Sequence, residues 1–170
     1  YQMKYGVRAS SGGGRSSARE TIGRVAAGAI AEKYLSQAFG IEIVAWVSSV
    51  GEISSQAVDI STVTRAQVDA NEVRCPDQAA AQRMSEQILA ARAEQDSIGG
   101  VLTCVCRNLP AGLGEPAFDR LEAQLAHAML SIPSTKGFEI GSGFQGATMR
   151  GSAHNDPYTF KNGRLATLTK

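Results

Sequence analysis

The 170-residue sequence is poor in several features, and each shortage excludes a class of protein. Three cysteines are too few and odd in number for a disulfide framework, so we expect a reducing compartment. No apolar run approaches the ~20 residues of a membrane-spanning helix, which predicts no membrane span. A net charge of +1 argues against a general nucleic-acid partner. With 43% hydrophobic residues, the chain can instead bury one sizeable core.

Metal-ligating residues are also scarce. The two histidines, His127 and His154, stand apart from each other and from the cysteines. Cys104 and Cys106 lie two apart on a predicted strand and face the same side of it. A structural zinc site takes about four ligands at suitable spacing, and the sequence offers no second cysteine pair. We predict no metal site, and we expect the cysteines, with Cys75, to pack in the core.

Helical and extended patterns alternate along the chain. Helices are predicted over 18–38, from Pro76 to about Gln95 and from Pro116 to about Leu130, and strands over 41–50, 98–109 and 137–149, with an ambiguous short helix at 64–70 and a turn at Asn162-Gly163. Alternation alone suggests a parallel, doubly wound sheet. The predicted strands, however, are long and broken by glycines, and no GxGxxG motif follows a strand.

The stretch GGGRSSARET at 12–21 carries the most chemistry. The first 24 residues hold five basic residues against one acidic residue, a net charge of +4. Glycines let backbone amides approach an anion, and the start of a helix adds unpaired N–H groups. Arg15 and Arg19 could each donate two parallel hydrogen bonds to a phosphate or carboxylate. The stretch is therefore predicted to be an anion-binding loop directly before a helix.

A simpler interpretation of the same stretch is equally compatible with its composition. It could be a flexible loop followed by an ordinary capped helix, with Ser17 and Glu20 as a capping box. The spacing GxxxxGK[ST] of a P-loop is absent.

The run Gly14 to Thr21 (GRSSARET), followed by RVAAGAIA at 24–31, resembles the central signature of chorismate synthases. Further blocks agree with that family in the same order: VRCPD at 73–77, DSIGG at 96–100, GLGEPAFDRLEAQLAHAMLSIP at 112–133, KGFEIGSGF at 136–144 and GSAHNDP at 151–157. The resemblance covers essentially the whole chain. The segment SIPSTKGFEIGSGFQG at 131–146 is most similar to fungal members of the family.

The resemblance implies a fold and a function. The expected fold class is α+β, a β-α-β sandwich with helices between antiparallel sheets, assembled as a homotetramer in the cytoplasm. The expected activity is a lyase that converts 5-enolpyruvylshikimate 3-phosphate to chorismate and phosphate by 1,4-elimination with reduced FMN. Fungal-like members also reduce their flavin with NADPH. The implied partner is this small-molecule substrate rather than a nucleic acid or a membrane.

The resemblance also assigns roles to residues. Arg15, Ser16 and Ser17 match an FMN-contacting triplet, and Arg19 matches a substrate-contacting arginine. Ser17 further corresponds to a serine that supports the proton-transfer histidine. Pro133 and Ser134 match a second flavin-contacting segment, where many bacterial members have Asn-Ala. We therefore expect contact there through the backbone only.

The resemblance finally implies that 1–170 is the central part of a single domain, without the N- and C-terminal parts of the family fold. The family's proton-transfer histidines belong to blocks outside this chain, so we expect the chain to be inactive alone. Two alternatives stay open from the residues: a non-catalytic ligand-binding or assembly module with the same fold, and a phosphate-binding α/β protein of another family.

Overall fold

The computed structural model describes residues 1–168. The predicted domain span of 1–170 includes residues 169 and 170, which lie outside the described residues. The helices are α1 (Gln2–Tyr5), α2 (Ile22–Phe39), α3 (Arg65–Val68), α4 (Gln78–Ala93), α5 (Leu121–Leu130) and α6 (Gly151–His154). The strands are β1 (Glu42–Val50), β2 (Ile53–Ser54), β3 (Gly100–Arg107), β4 (Tyr158–Lys161) and β5 (Arg164–Thr167). Short 3-10 turns occur at Gly14–Ser16, Ala18–Thr21, Ala117–Asp119 and Gly143–Thr148.

The chain divides into two compact units. One unit is Glu20–Ala111, and the other combines residues 1–19 with the chain from Gly112 onward. The Glu20–Ala111 unit contains an antiparallel sheet in the order β2-β1-β3, with Val44 opposite Val105 and Trp46 opposite Thr103. The parallel sheet that alternation alone would suggest is therefore absent from this unit.

Two buried clusters stabilise the Glu20–Ala111 unit, because each removes apolar surface from water. In the first, α4 buries Ala80, Ala81 and Met84 against Val50 and Cys75. In the second, the inner face of the sheet packs on the segment before α4, through Val44, Trp46, Val63 and Val68. The inner face is thus the side of the sheet that carries Trp46 and Val105.

Local signals explain where the helices of this unit begin and end. Asp77 Oδ1 accepts a hydrogen bond from the Ala80 amide at 3.0 Å and caps α4. Thr64 and Gln67 form a reciprocal capping box at the start of α3, which explains how this one-turn helix forms. Gly40, with φ of 68°, ends α2 in the left-handed conformation that glycine adopts without strain.

Arg107 fastens the end of β3 to neighbouring segments. Its guanidinium donates to the carbonyl oxygens of Ile60 at 2.8 Å and Val63 at 2.6 Å, and it pairs with Glu42 at 2.6 Å. Only 16% of the Arg107 side chain is exposed, so these partners replace the water it loses. No sequence motif predicted these contacts of Arg107.

The second unit, residues 1–19 with 112–168, contains α1, α5, α6 and the β4–β5 hairpin. The hairpin pairs Lys161 with Arg164 across Asn162 and Gly163, whose φ angles of 53° and 74° fit the tight turn predicted for this dipeptide. Among residues 1–168, the ten buried hydrophobic residues of the core lie between Ile41 and Met84. The second unit therefore adds none of its described residues to that core.

Several predicted elements are confirmed and others are wrong. The strands at 41–50 and 98–109, the second helix and the short helix near 64–70 are present as β1, β3, α4 and α3. The first helix begins at Ile22 rather than at residue 18, and the third at Leu121 rather than at Pro116. The strand predicted over 137–149 is wrong, because Gly143–Thr148 forms a 3-10 turn there. The predicted class, helices combined with antiparallel sheets, is confirmed.

The expectation that the cysteines pack in the core holds only for Cys75, which is fully buried. Cys104 and Cys106 are exposed on the outer face of β3. Two residues apart on β3, they face the same side of the sheet, and desolvation first and the neighbouring Cys106 thiol second raise the pKa of Cys104 to about 11. Both thiols are therefore on the side of the sheet away from Trp46.

Candidate functional site

The predicted anion-binding loop at 12–21 is tightly wound. Gly12 and Gly14 have φ angles of 64° and 53°, in the left-handed region that glycine adopts readily. A methyl group at Gly13 would lie 3.1 Å from the backbone of Ser17, closer than ordinary packing allows. The loop needs glycine at these positions because it folds back on itself within five residues.

The serines of this loop are engaged locally. The Ser16 hydroxyl donates to the Gly13 carbonyl oxygen at 2.5 Å, and the Ser16 amide donates to the same oxygen at 3.0 Å. The Ser17 amide donates to Gly14 at 3.1 Å. Since these amides serve the 3-10 turn, the attraction of the loop for an anion depends chiefly on its arginines.

Ser17 does not cap an α-helix that begins at Ala18, as the sequence suggested. Residues Ala18–Thr21 form a 3-10 turn, and α2 begins only at Ile22. The Ser17 hydroxyl oxygen accepts a hydrogen bond from the Arg19 amide at 3.3 Å. That bond fixes the Ser17 side chain and does not use its hydroxyl proton, which can still be given to another acceptor.

Arg15 and Arg19 supply the positive charge of the loop. Both residues are exposed. A guanidinium offers several N–H donors in a planar fork that matches the oxygens of phosphate and carboxylate groups. Two such groups, four residues apart on a wound loop, are a donor set suited to an anionic ligand such as a nucleotide phosphate.

The second predicted segment is a tight turn. The Thr135 amide donates to the Ile132 carbonyl oxygen at 3.2 Å, with Pro133 and Ser134 as the two central residues. Ser134 has a φ of 70°, which together with proline at the preceding position defines a type II turn. The closing bond does not involve the Ser134 amide, and both central residues are exposed. The turn therefore offers backbone rather than a fixed side chain.

Both segments belong to the same compact unit, although more than a hundred residues of sequence separate them. A flavin mononucleotide would need two kinds of group from these segments. Its phosphate would require a cationic donor, which Arg15 provides, and its polar ring edge would require backbone groups, which the Pro133–Ser134 turn provides. The residues present fit such a group.

A further polar pair lies in the same unit and was not predicted. His154 Nε2 and Ser142 Oγ are 3.1 Å apart, and the His154 ring packs against Gly146. The pair ties α6 to the Gly143–Thr148 turn. Sequence alone could not identify it, because neither residue occurs in a motif that predicts their contact.

Two open hollows occur in the Glu20–Ala111 unit. They measure about 420 and 450 Å3 and are lined by residues of the 56–77 and 71–86 segments respectively. The carboxylates in the first already have partners. Asp59 accepts from the Ser61 hydroxyl and amide, and Asp77 from the amides of Gln56 and Ala80.

These hydrogen bonds hold the pKa of Asp59 below its usual value, with Ser61 as the main cause, and the pKa of Asp77 likewise, with the Gln56 amide as the main cause. Such carboxylates shape the backbone and are poor candidates for acid–base chemistry. The arginine-bearing loop remains the better candidate site.

Two kinds of feature are absent from residues 1–168. None of their helices is both long enough and apolar enough to cross a membrane. None of their histidine, cysteine, aspartate and glutamate side chains form a group of three or more that could hold a metal ion.

The described residues thus form an α+β protein with antiparallel sheets and an exposed loop that carries Arg15 and Arg19. Comparison with known proteins identifies the family. The chorismate synthase family model matches residues 1–168. The chain therefore belongs to the chorismate synthase family, and the alternative of a phosphate-binding protein from another family is wrong.

Individual relatives agree with this assignment. The chain is 56% identical to the chorismate synthase of Schizosaccharomyces pombe, over 99% of this chain and 50% of the relative. It is 61% identical to that of Neurospora crassa, over 93% of this chain and 40% of the relative. It is 58% identical to that of the cyanobacterium Gloeothece citriformis, over 99% and 47%. Because fungal and cyanobacterial relatives match similarly, overall identity does not separate the two groups.

A solved structure supports the same conclusion. A crystal structure of chorismate synthase matches with a TM-score of 0.73 and 32% identity, over 89% of this chain and 49% of that chain. The chain thus spans about half the length of the relatives it matches.

Proposed function

We propose that this chain contributes to a lyase that converts 5-enolpyruvylshikimate 3-phosphate to chorismate and phosphate by 1,4-elimination. The observation that carries the proposal is the family match over residues 1–168, with the signature arginines on an exposed, glycine-wound loop. The reaction expels a phosphate from a substrate that also carries carboxylates. A cationic loop suits both binding and neutralisation of the leaving group.

Within this proposal, Arg15, Ser16 and Ser17 hold FMN together with the backbone at Pro133 and Ser134. Arg19 binds the anionic substrate. Reduced FMN, when bound, supplies electron density that assists cleavage of the C–O bond. The hydroxyl proton of Ser17 remains available to support a proton-transfer histidine, because the bond from the Arg19 amide occupies only an oxygen lone pair.

The remaining assignments follow from family membership. We propose that NADPH can reduce the flavin, that the protein acts as a homotetramer and that it resides in the cytoplasm. We also propose that residues 1–170 are the central part of a single family domain. His127 and His154 lie in none of the family's proton-transfer blocks, so turnover should require residues beyond this chain.

An FMN titration tests the assignment of the loop. Arg15→Ala should weaken FMN binding roughly tenfold or more, because a hydrogen bond to a charged group contributes about 1.5–3 kcal/mol. The experiment uses a chimera in which residues 1–170 replace the matching half of the Schizosaccharomyces pombe enzyme, and it follows flavin fluorescence. Arg8→Ala is the matched control, since Arg8 is an exposed arginine on the same basic segment but outside the GRSSARET run. Equal FMN affinity in the Arg15→Ala and Arg8→Ala variants would contradict the assignment.

Phosphate release from 5-enolpyruvylshikimate 3-phosphate, measured anaerobically with reduced FMN, tests the reaction itself. The chimera should turn over, Arg19→Ala should raise KM, and the 170-residue chain alone should release no phosphate above background. A folded chimera that binds FMN and substrate without turnover would instead favour a non-catalytic binding module.

A further inference from the structure

The tip of the β4–β5 hairpin consists of an asparagine followed by a glycine, a pair that the proposed reaction does not use. Asn162 and Gly163 are both exposed, and both have φ angles in the left-handed region, 53° and 74°. The strands on either side pair directly through Lys161 and Arg164. The backbone ladder therefore closes on those two residues and leaves the Gly163 amide nitrogen in the turn itself.

Asparagine is one of the chemically least stable side chains in proteins. The deprotonated backbone nitrogen of the following residue can attack the asparagine Cγ, which forms a C–N bond and breaks the Cγ–Nδ2 bond, so that ammonia leaves. Water then opens the resulting five-membered succinimide at either carbonyl and gives aspartate or isoaspartate. A following glycine favours ring closure most, because it has no Cβ beside the attacking nitrogen and its backbone is the least restricted.

The sequence contains four asparagines, and only Asn162 combines a following glycine with a side chain that makes no hydrogen bond to residues 1–168. The side-chain amides of Asn71 and Asn108 each donate to a backbone carbonyl oxygen, at 2.7 and 3.0 Å, and the next residues are glutamate and leucine. Asn155 is followed by an aspartate. The structure and the sequence therefore single out the same position.

Ring closure requires Asn162 to leave its turn conformation, because the Gly163 nitrogen must reach the side-chain carbon. The hairpin has two strands of four residues, and Tyr158, Phe160 and Leu165 are 77%, 75% and 63% exposed. A two-stranded hairpin with so little burial is marginally stable in water and opens locally at low cost. The reactive pair thus lies in one of the least protected elements of the chain.

We propose that Asn162 is a site of spontaneous deamidation, in which the Gly163 nitrogen displaces ammonia from the Asn162 side chain and water completes the reaction. The aspartate product places a negative charge between Lys161 and Arg164. The isoaspartate product brings the former side-chain carbon into the main chain. The two-residue turn then no longer has the length that pairs Lys161 with Arg164, so this product should loosen the hairpin.

Peptide mass spectrometry during incubation at one mildly alkaline pH tests the proposal, on the chimera of residues 1–170 with the Schizosaccharomyces pombe enzyme. Asn162 should convert to the acid at least about tenfold faster than Asn155, because glycine follows it and the hairpin opens easily. Part of the product should be isoaspartate, which electron-transfer fragmentation distinguishes from aspartate. A smaller ratio of the two rates, or a product without isoaspartate, would overturn the proposal.

Matched glycine variants of the chimera test the attack by the Gly163 nitrogen. Gly163→Ala should slow the conversion of Asn162 at least about tenfold, because the added Cβ hinders the nitrogen. Gly151→Ala is the control and should leave the rate unchanged, since Gly151 lies in the same unit with nothing within 4 Å of an added methyl group. Equal rates in the two variants would refute this chemistry. The readout is peptide mass and not phosphate release, so the result does not depend on the proposed function.

Discussion

At the scale of single residues, two adjacent glycines, Gly99 and Gly100, differ in how closely other atoms approach them. A methyl group at Gly100 would overlap the carbonyl oxygen of Ser49, where β1 bulges between Val47 and Ser49. At Gly99, nothing lies within 4 Å of the same added group. Only Gly100 is therefore required by close approach of two backbones.

Gly100→Ala should accordingly destabilise the chain by about 1–3 kcal/mol, the usual cost of overpacking. Gly99→Ala should change the free energy of unfolding by no more than about 0.5 kcal/mol. Urea denaturation followed by Trp46 fluorescence measures both. Equal effects of the two variants would show that the bulge does not hold the strands this close.

Burial in the core is a second constraint on single residues. Met84 is fully buried between α4 and the sheet. Met84→Ala should cost about 2–5 kcal/mol through lost burial and the cavity left behind. Met129→Ala provides a control, because Met129 is 40% exposed on α5. A similar loss of stability in both variants, measured by urea denaturation, would argue against the Met84 cluster as the main core.

At the scale of elements, α4 depends on a carboxylate at its N-terminus. Asp77 accepts from the Gln56 and Ala80 amides, and these bonds lower its pKa in the folded chain. A carboxyl group with a depressed folded pKa stabilises the fold above its unfolded pKa, about 3.9. The stability is then lost as pH falls through the folded pKa.

We therefore expect Asp77→Asn to lower the thermal midpoint at pH 7, and the gap from the unmodified chain to shrink below about pH 4. Circular dichroism melts at several pH values measure this. Glu72→Gln serves as the control, because Glu72 is exposed and lies outside the helix. A gap that is constant from pH 7 to pH 3 would show that the ionised carboxylate is not what caps α4.

The elements that sequence predicted correctly are those with local causes. β1 and β3 form where β-branched residues are frequent, α4 begins directly after its capping residue Asp77, and the β4–β5 turn forms at Asn162-Gly163. The strand predicted over 137–149 failed because Gly143, with a φ of 50°, and a bond from the Phe144 amide to Glu139 favour a wound 3-10 segment. Periodicity does not contain that information.

The candidate site was predictable only in part for the same reason. The loop around Arg15 could be identified from the sequence, because its glycines and arginines carry local meaning, whereas Pro133 and Ser134 were assigned only through the resemblance to the family. The start of α2 at Ile22 and the internal bonds of Ser16 could not, because they depend on how the loop winds. The contacts of Arg107 join segments that are far apart in the sequence, so no local pattern could predict them.

At the scale of the whole chain, burial is uneven. In the part of the chain that the structure describes, the ten buried core residues lie between Ile41 and Met84, whereas α5 contains no buried residue and Tyr158 and Phe160 of the hairpin are 77% and 75% exposed. Backbone hydrogen bonds resist opening where apolar packing surrounds them. Hydrogen exchange of the 170-residue chain should therefore be graded by unit, with slow amides in β1, β3 and α4.

Peptides from Leu121–Leu130 and from the β4–β5 hairpin should exchange at least about tenfold faster than those from Gln78–Ala93, at one pH and temperature. The gradient should narrow in Met84→Ala, because that variant weakens the cluster that packs α4 against Val50 and Cys75, while Met129→Ala should preserve it. If α5 and α4 exchanged at one common rate in the unmodified chain, the two units would open as a single cooperative body. Core packing between Ile41 and Met84 would then not set the local stability of this chain.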